Sequence, residues 1–276
     1  MADANIHVKI KGDSSSAEAA IDKVGSKLEN ALGEKMGGIA KKALEKMPMA
    51  AAAAGVALVA QEVAQLAGKV SDTADQMAQL KSRINLINDG TQTTTEIMDK
   101  VYAAAQRSRG GYVEMADSVA KLNMLAKDAF SSNDEAIAFV EQLNKQFKIS
   151  GASVQESTAA MYQLTQAMAA GKLQGDEFHS IMENAPMLAQ SIASEMGLTV
   201  GQLKDMSSQG LITADIIKEA LFNSAEETNA KFAEIPMTFQ DIGTQVQNEL
   251  IAAFQPAMEE ISNMTSSGVL NDALAG

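Results

Sequence analysis

The sequence predicts a mainly α-helical protein: a compact multi-helix domain with a short N-terminal strand and an amphipathic helix ahead of it. Three observations carry that expectation. From Ser71 onward apolar residues recur at helical spacing, helix start and stop signals repeat between Ser153 and Thr213, and a single convincing stretch, Asn5 to Lys11, alternates with the period of a strand. The composition agrees, because 46% of the 276 residues are hydrophobic but only 4% are aromatic, with no Trp and 17 Met. Burial therefore falls to Ala, Leu, Ile and Met, which pack closely spaced helices and offer few anchors for a rigid, deep pocket.

The elements follow in chain order. Ile6, Val8 and Ile10 alternate with His7, Lys9 and Lys11, and a lone strand needs a pairing partner from elsewhere. Ala17, Ala20, Ile21, Val24, Leu28, Ala31 and Leu32 then switch to helical spacing over barely two heptads, too few to specify a coiled coil. Glycines 33, 37 and 38 interrupt this helix. Met49 to Ala60 is an unbroken run of twelve apolar or small residues. A membrane span needs about 20, so the run reads first as a buried small-residue helix. Beyond it, the spacing predicts a helix over Thr73 to Ile87 ending at Asn88-Asp89-Gly90, and a second begun by threonines 93 to 95 with Glu96 and stopped at Gly110-Gly111. A third runs from Tyr112 to Phe130 and is closed by Ser131-Ser132-Asn133, and a fourth spans Glu135 to Phe147.

Ser153 and Glu156 have the spacing of a capping box for a helix over Val154 to Ala170, with Met161, Leu164, Thr165 and Met168 as its core-facing stripe. Gly171 ends that helix, Gly175-Asp176-Glu177 opens another with acids at its positive end, and Pro186 opens a third. Gly197 is the next stop, Thr199 and Gln202 repeat the capping box, and Gly210 with Thr213 repeats the stop and start. After Pro236, Thr238 caps a helix through Phe254, which Pro256 interrupts. The expected organisation is residues 1–70 for the strand, the amphipathic helix and the Ala-rich segment, 71–256 for the helical domain, and 257–276 for a tail.

Charge and composition exclude several classes. The net charge is −13, yet residues 1–50 hold eight Lys against seven acids, and no Lys or Arg follows Lys231. A protein that grips DNA needs a basic stripe to displace counterions, and this balance supplies the reverse, so tight nucleic-acid binding is not expected. The chain has no Cys, which removes disulfides, thiolate metal sites and a cysteine nucleophile. Asp176, Glu177, His179 and Glu183 lie close together, and His179 and Glu183 have the i, i+4 spacing of two ligands on one helix face. A metal would still lack its other ligands, since the remaining histidine is His7, and the group reads as a hydrated polar face. GxxxxGK followed by Ser or Thr is absent around Gly151 and Gly171, so no phosphate loop is present. No catalytic, cofactor-binding or metal-binding residue is assigned.

One combination goes further than helix punctuation. GKLQGDEFHSIMENAP, Gly171 to Pro186, is followed by a small-residue helix, then Gly197-Leu198-Thr199, then Gly210-Leu211-Ile212-Thr213-Ala214-Asp215. This series closely resembles the N-terminal domain of phage tail tape measure proteins, over roughly Leu80 to Pro256. The resemblance implies a structural role in the tail: several copies run along the tail axis, tube subunits assemble around them, and helical length sets tail length, with a contribution to genome delivery. The partners it implies are tail tube proteins, tail assembly chaperones, tail tip or baseplate proteins and further copies of the chain, in the tail lumen of a virion assembled in the bacterial host cytoplasm. Relatives carry hydrophobic segments like Met49 to Ala60, which makes transient membrane contact the second reading of that run. Some also carry wall-degrading domains, for which Glu183 would be the acid, but a lone Glu without an aromatic-rich groove is weak support. As one continuous helix the chain would reach roughly 400 Å at 1.5 Å per residue, and a compact domain far less. With no sustained heptad repeat either, the ruler is expected to lie outside this chain, as part of a longer protein. The alternative is a helical adaptor without a measuring role, and a cell-wall-degrading enzyme comes third.

Overall fold

The computed structural model describes residues 70–249 together with 251 and 252. The expected strand at Asn5 to Lys11, the amphipathic segment from Ala17 to Leu32, the run Met49 to Ala60, and Phe254 and Pro256 all lie outside the described residues. Two units are distinguished, one of residues 80–236 and a second that includes 70–79 and the residues from 237 onward. Among the described residues every named element is a helix, as the composition predicts.

Local chemistry explains where the first helices begin and end. α1 (Val70–Ile87) stops before Gly90, whose φ of +84° is a conformation that costs other residues more. α2 (Thr94–Ser108) starts on a complete capping box: Thr93 N–H donates to Glu96 Oε2 at 2.7 Å, and Glu96 N–H to Thr93 Oγ1 at 3.2 Å. Its end departs from the sequence reading. The left-handed position belongs to Arg109 at φ 54°, not to the Gly110-Gly111 pair, and Gly110 N–H closes the turn on Ala105 O at 2.9 Å. α3 (Tyr112–Leu125) is also shorter than the spacing suggests. Ala126 breaks the ladder at φ −125°, a 3-10 turn over Lys127–Ala129 follows, and Phe130 leaves in extended backbone to pack edge-on against Phe139 at 5.2 Å. Ser132, read as part of a stop, is instead the start of α4 (Asn133–Ile149), accepting from Glu135 N–H at 3.1 Å.

From α5 onward the punctuation falls where the sequence placed it. α5 (Val154–Ala170) has the Ser153–Glu156 capping box and buries Met161, Leu164, Thr165 and Met168. α6 (Gly175–Asn184) opens with Asp176 and Glu177, and α7 (Pro186–Glu195) has Pro186 in its first turn, where a missing N–H costs nothing. α8 (Val200–Ser208) carries the Thr199–Gln202 box, and α9 (Ala214–Asn223) is capped by Thr213, which accepts from Ile216 N–H at 3.3 Å. α10 (Ala225–Glu234) was not distinguished in the sequence; Ser224 at φ −86°, ψ 2° separates it from α9 with no glycine or proline to mark the break. In the second unit, Thr238 N–H donates to Asp241 Oδ2 and Asp241 N–H to Thr238 Oγ1, capping the helical residues 239–249 as expected.

Within residues 80–236, α4 is the central element, packed against α2, α3, α7, α9 and α10. Such a helix must be apolar on several sides, and it buries Ala136, Ile137, Phe139, Val140, Leu143 and Phe147. Phe139 is fully buried and lies edge-on to both Phe130 and Phe222, with ring centroids 5.2 and 6.3 Å away. In a chain with so few rings this trio concentrates the aromatic contribution to the core. Phe139→Ala is expected to destabilise the protein by about 3–5 kcal/mol, the range for emptying a buried aromatic site, as a lower urea midpoint with the slope unchanged.

Candidate functional site

The glycine- and threonine-marked strings, some forty residues apart in the chain, meet in space. Gly171 takes the left-handed position after α5 at φ +74°, turning Lys172 and Leu173 back across the unit. Leu173 N–H then donates to Ile212 O at 2.8 Å, Ala214 N–H donates to Gly171 O at 3.0 Å, and Lys172 faces Thr213 as an isolated antiparallel bridge. Leu173 and Ile212 are both buried below this clip, at 1% and 0% exposure, so it closes over apolar packing. The second turn needs glycine as well: Gly210 sits at φ +67°, and a Cβ there would lie 3.3 Å from Gln174 Oε1 and from Lys172 Cδ. α6, α7 and α8 thus form a loop of helices tied at its base, and the string GKLQGDEF to LITAD is the sequence of that tie.

A second cluster lies on α4. Glu141 and Lys145 form an i, i+4 ion pair at 2.7 Å with both side chains only 9% exposed, and Arg107 of α2 donates to both Glu141 oxygens, the shortest contact being 2.6 Å. Lys145 Nζ also donates to Asn229 Oδ1 of α10 at 2.8 Å. Gln146, fully buried, directs Nε2 at Ser191, Ser224 and Thr228 hydroxyls, each 3.2 Å away. Arg109, held in its strained backbone, lays its guanidinium 4.5 Å from the centre of the Phe232 ring and donates to Ile235 O at 2.9 Å. That pair of contacts is the physical reason an arginine stands where a glycine would be easier. An open polar cleft between α7, α9 and α10 is bordered by Ser191, Ser194, Glu195, Asn223, Glu227 and Lys231.

His179 and Glu183 both lie exposed on α6. Among the described residues no group of three or more His, Asp or Glu is placed to hold a metal ion, and no helix is long and apolar enough to cross a membrane. The tied loop, the caps and the buried clasp are devices that hold a shape. The family model described as "Tape measure protein" matches residues 68–260, more than half of the chain. The chain belongs to the tape measure protein family. Comparison with curated proteins and with solved structures gives no match. This tape measure protein is thus a structural component of a phage tail, and its family is a structural one rather than an enzyme family.

Sequence reasoning found the clip's turns in this tape measure protein but neither the bridge that joins them nor the clasp on α4. The signal for the clasp was partial: Glu141 and Lys145 stand at i, i+4 in one helix, a spacing equally common on exposed helix faces. The Glu141 carboxyl is subject to opposing effects, burial raising its pKa and hydrogen bonds and charge from Arg107 and Lys145 lowering it, with the net result below the ordinary value of 4.5. A depressed carboxylate stabilises the fold above its unfolded pKa, and that stabilisation is lost as pH falls through the folded pKa. Glu141→Gln, which leaves Lys145 buried without its counter-charge, is expected to cost roughly 3 kcal/mol at pH 7. The difference from wild type should shrink as pH falls below about 4.5, read by denaturant titration across pH 3–7.

Proposed function

We propose that this chain is the N-terminal part of a tape measure protein that templates tail tube assembly, sets tail length and assists genome delivery. The membership of residues 68–260 in the family carries this reading. In it, residues 71–256 are a folded domain, 1–70 a separate N-terminal region, and 257–276 a tail or the start of the ruler. The domain's role is to be recognised and positioned: several copies meet tail tube proteins, assembly chaperones and tail tip or baseplate proteins inside the tail lumen, after assembly in the host cytoplasm. Tight nucleic-acid binding has no place in it, since a net charge of −13 repels phosphate. Met49 to Ala60 is proposed to pack within the particle and to touch a bilayer only transiently, if the protein leaves the tail. A helical adaptor without a measuring role is the second reading, favoured by the compact tied loop; a muralytic activity centred on Glu183 would rest on a lone exposed carboxylate.

A ruler is extended and can be shortened in proportion to its length, whereas a tied loop fails as a unit. An in-frame deletion of Gln166 to Leu221 removes the clip, α6 to α8, the last turn of α5 and most of α9, exposing the apolar faces they cover. In the phage or prophage that encodes this chain, the deletion is expected to abolish tails. Shortened but infectious tails, seen by electron microscopy, would reassign these residues to the ruler. For the apolar run, the intact protein is expected to stay with the soluble fraction in flotation with neutral liposomes, because Ala-rich stretches bury little area per residue. Quantitative partition into the vesicles, abolished in a folded Ala53→Asp variant, would replace packing with membrane penetration.

A further inference from the structure

α10 is attached to its unit differently from the helices around it. Only Thr228 and Phe232 of its ten residues are buried, whereas α9, of equal length, buries Ala214, Ile217, Ala220 and Leu221. It meets α4 through polar and cationic groups: Gln146 Nε2 donates to Thr228 Oγ1, while Lys145 Nζ and Gln142 Nε2 reach Asn229 Oδ1 at 2.8 and 3.4 Å. Phe232, its one buried ring, has the Arg109 guanidinium 4.5 Å and the Lys145 ammonium 5.9 Å from its centroid. Glu227 and Lys231 border the open polar cleft.

These features act in one direction. Hydrogen bonds exchange for water at small net cost, while apolar burial is what makes the docking of a helix cooperative with a core. A helix held mainly by the former opens at a lower free energy than the unit as a whole. We propose that α10 is a latch: it detaches from α4 as a unit while α2 to α9 remain folded. Detachment bares Gln142, Lys145 and Gln146 along one face of α4. Once detached, a ten-residue helix has little stability of its own and melts, which lengthens the connection between Ser224 and Pro236, since ten residues span about 15 Å as helix and up to about 35 Å extended. The clasp on Phe232 and Asn229 is the catch, and Arg109 keeps its strained backbone because it is part of that catch.

Native-state hydrogen exchange on the full chain, read by mass spectrometry, tests the latch directly. Amides of residues 225–234 are expected to exchange on the order of 100-fold faster than those of α4, with α2 to α4 fully protected. Exchange of α10 in step with α4 would overturn the proposal. Because the chain has no cysteine, Gln142→Cys combined with Asn229→Cys gives a clean lock when joined by a short thiol-reactive cross-linker. Locking is expected to bring α10 exchange to within about tenfold of α4, whereas exchange as fast as in the unlinked variant would mean fraying within the helix and no latch. Should the double variant fail to fold, Phe232→Ala serves instead: α10 loses protection while α4 keeps it, and loss of both together refutes a separable latch.

Discussion

Everything in the 80–236 unit depends on how α4 is buried. A helix packed against five others cannot follow a simple two-sided pattern, and this one buries a carboxylate, an ammonium and an amide alongside Phe139, Leu143 and Phe147. Charges taken out of water are costly unless paired and hydrogen-bonded. Glu141 answers this with two cations at once, Arg107 from α2 and Lys145 from its own helix, so the charged group of α4 also ties it to α2. Ionic and polar contacts of α4 hold α2 through Arg107 and α10 through Thr228 and Asn229, while Phe130 and the α9 residue Phe222 pack on its Phe139. The pair is therefore less a source of stability than a means of specifying which helix lies where.

The second organising device is the clip. In a core short of aromatic rings, helices of about ten residues such as α6, α7 and α8 have limited apolar area and low intrinsic stability. Two backbone hydrogen bonds at their common base, Leu173 to Ile212 and Ala214 to Gly171, close the loop they form, and capping side chains satisfy much of what the helix ends leave open. Each glycine that makes these turns is confined to a left-handed conformation. The string that carries the family resemblance is thus a record of backbone geometry, which explains why it contains glycines, a proline and threonine caps and no cluster of reactive groups.

For a tail component these properties are apt. A structural protein must present a defined shape repeatedly, and the family assignment places this chain in that class. Its resources are caps, turns and a buried ionic clasp, with exposed acids keeping the surface hydrated. His179 and Glu183, the most chemically suggestive pair in the sequence, lie on the exposed face of α6.

The sequence by itself determined the helical class, the boundaries from α5 to the start of α9 and the residues that turn the chain, because caps, glycines and prolines act through backbone geometry over a few residues. It also placed Met161, Leu164, Thr165 and Met168 in the core, since a single-sided helix advertises its buried face by period. Where it misread, a distant partner was responsible. The left-handed residue after α2 is Arg109 and not the neighbouring glycine pair, because Phe232 and Ile235 hold its side chain; the break at Ala126 lets Phe130 reach Phe139; and the division of α9 from α10 at Ser224 has no local marker. Only the tertiary structure could decide the bridge between Lys172 and Thr213 and the pairing of Arg107 with Glu141, since both join residues dozens of positions apart whose pairing no local period or cap encodes.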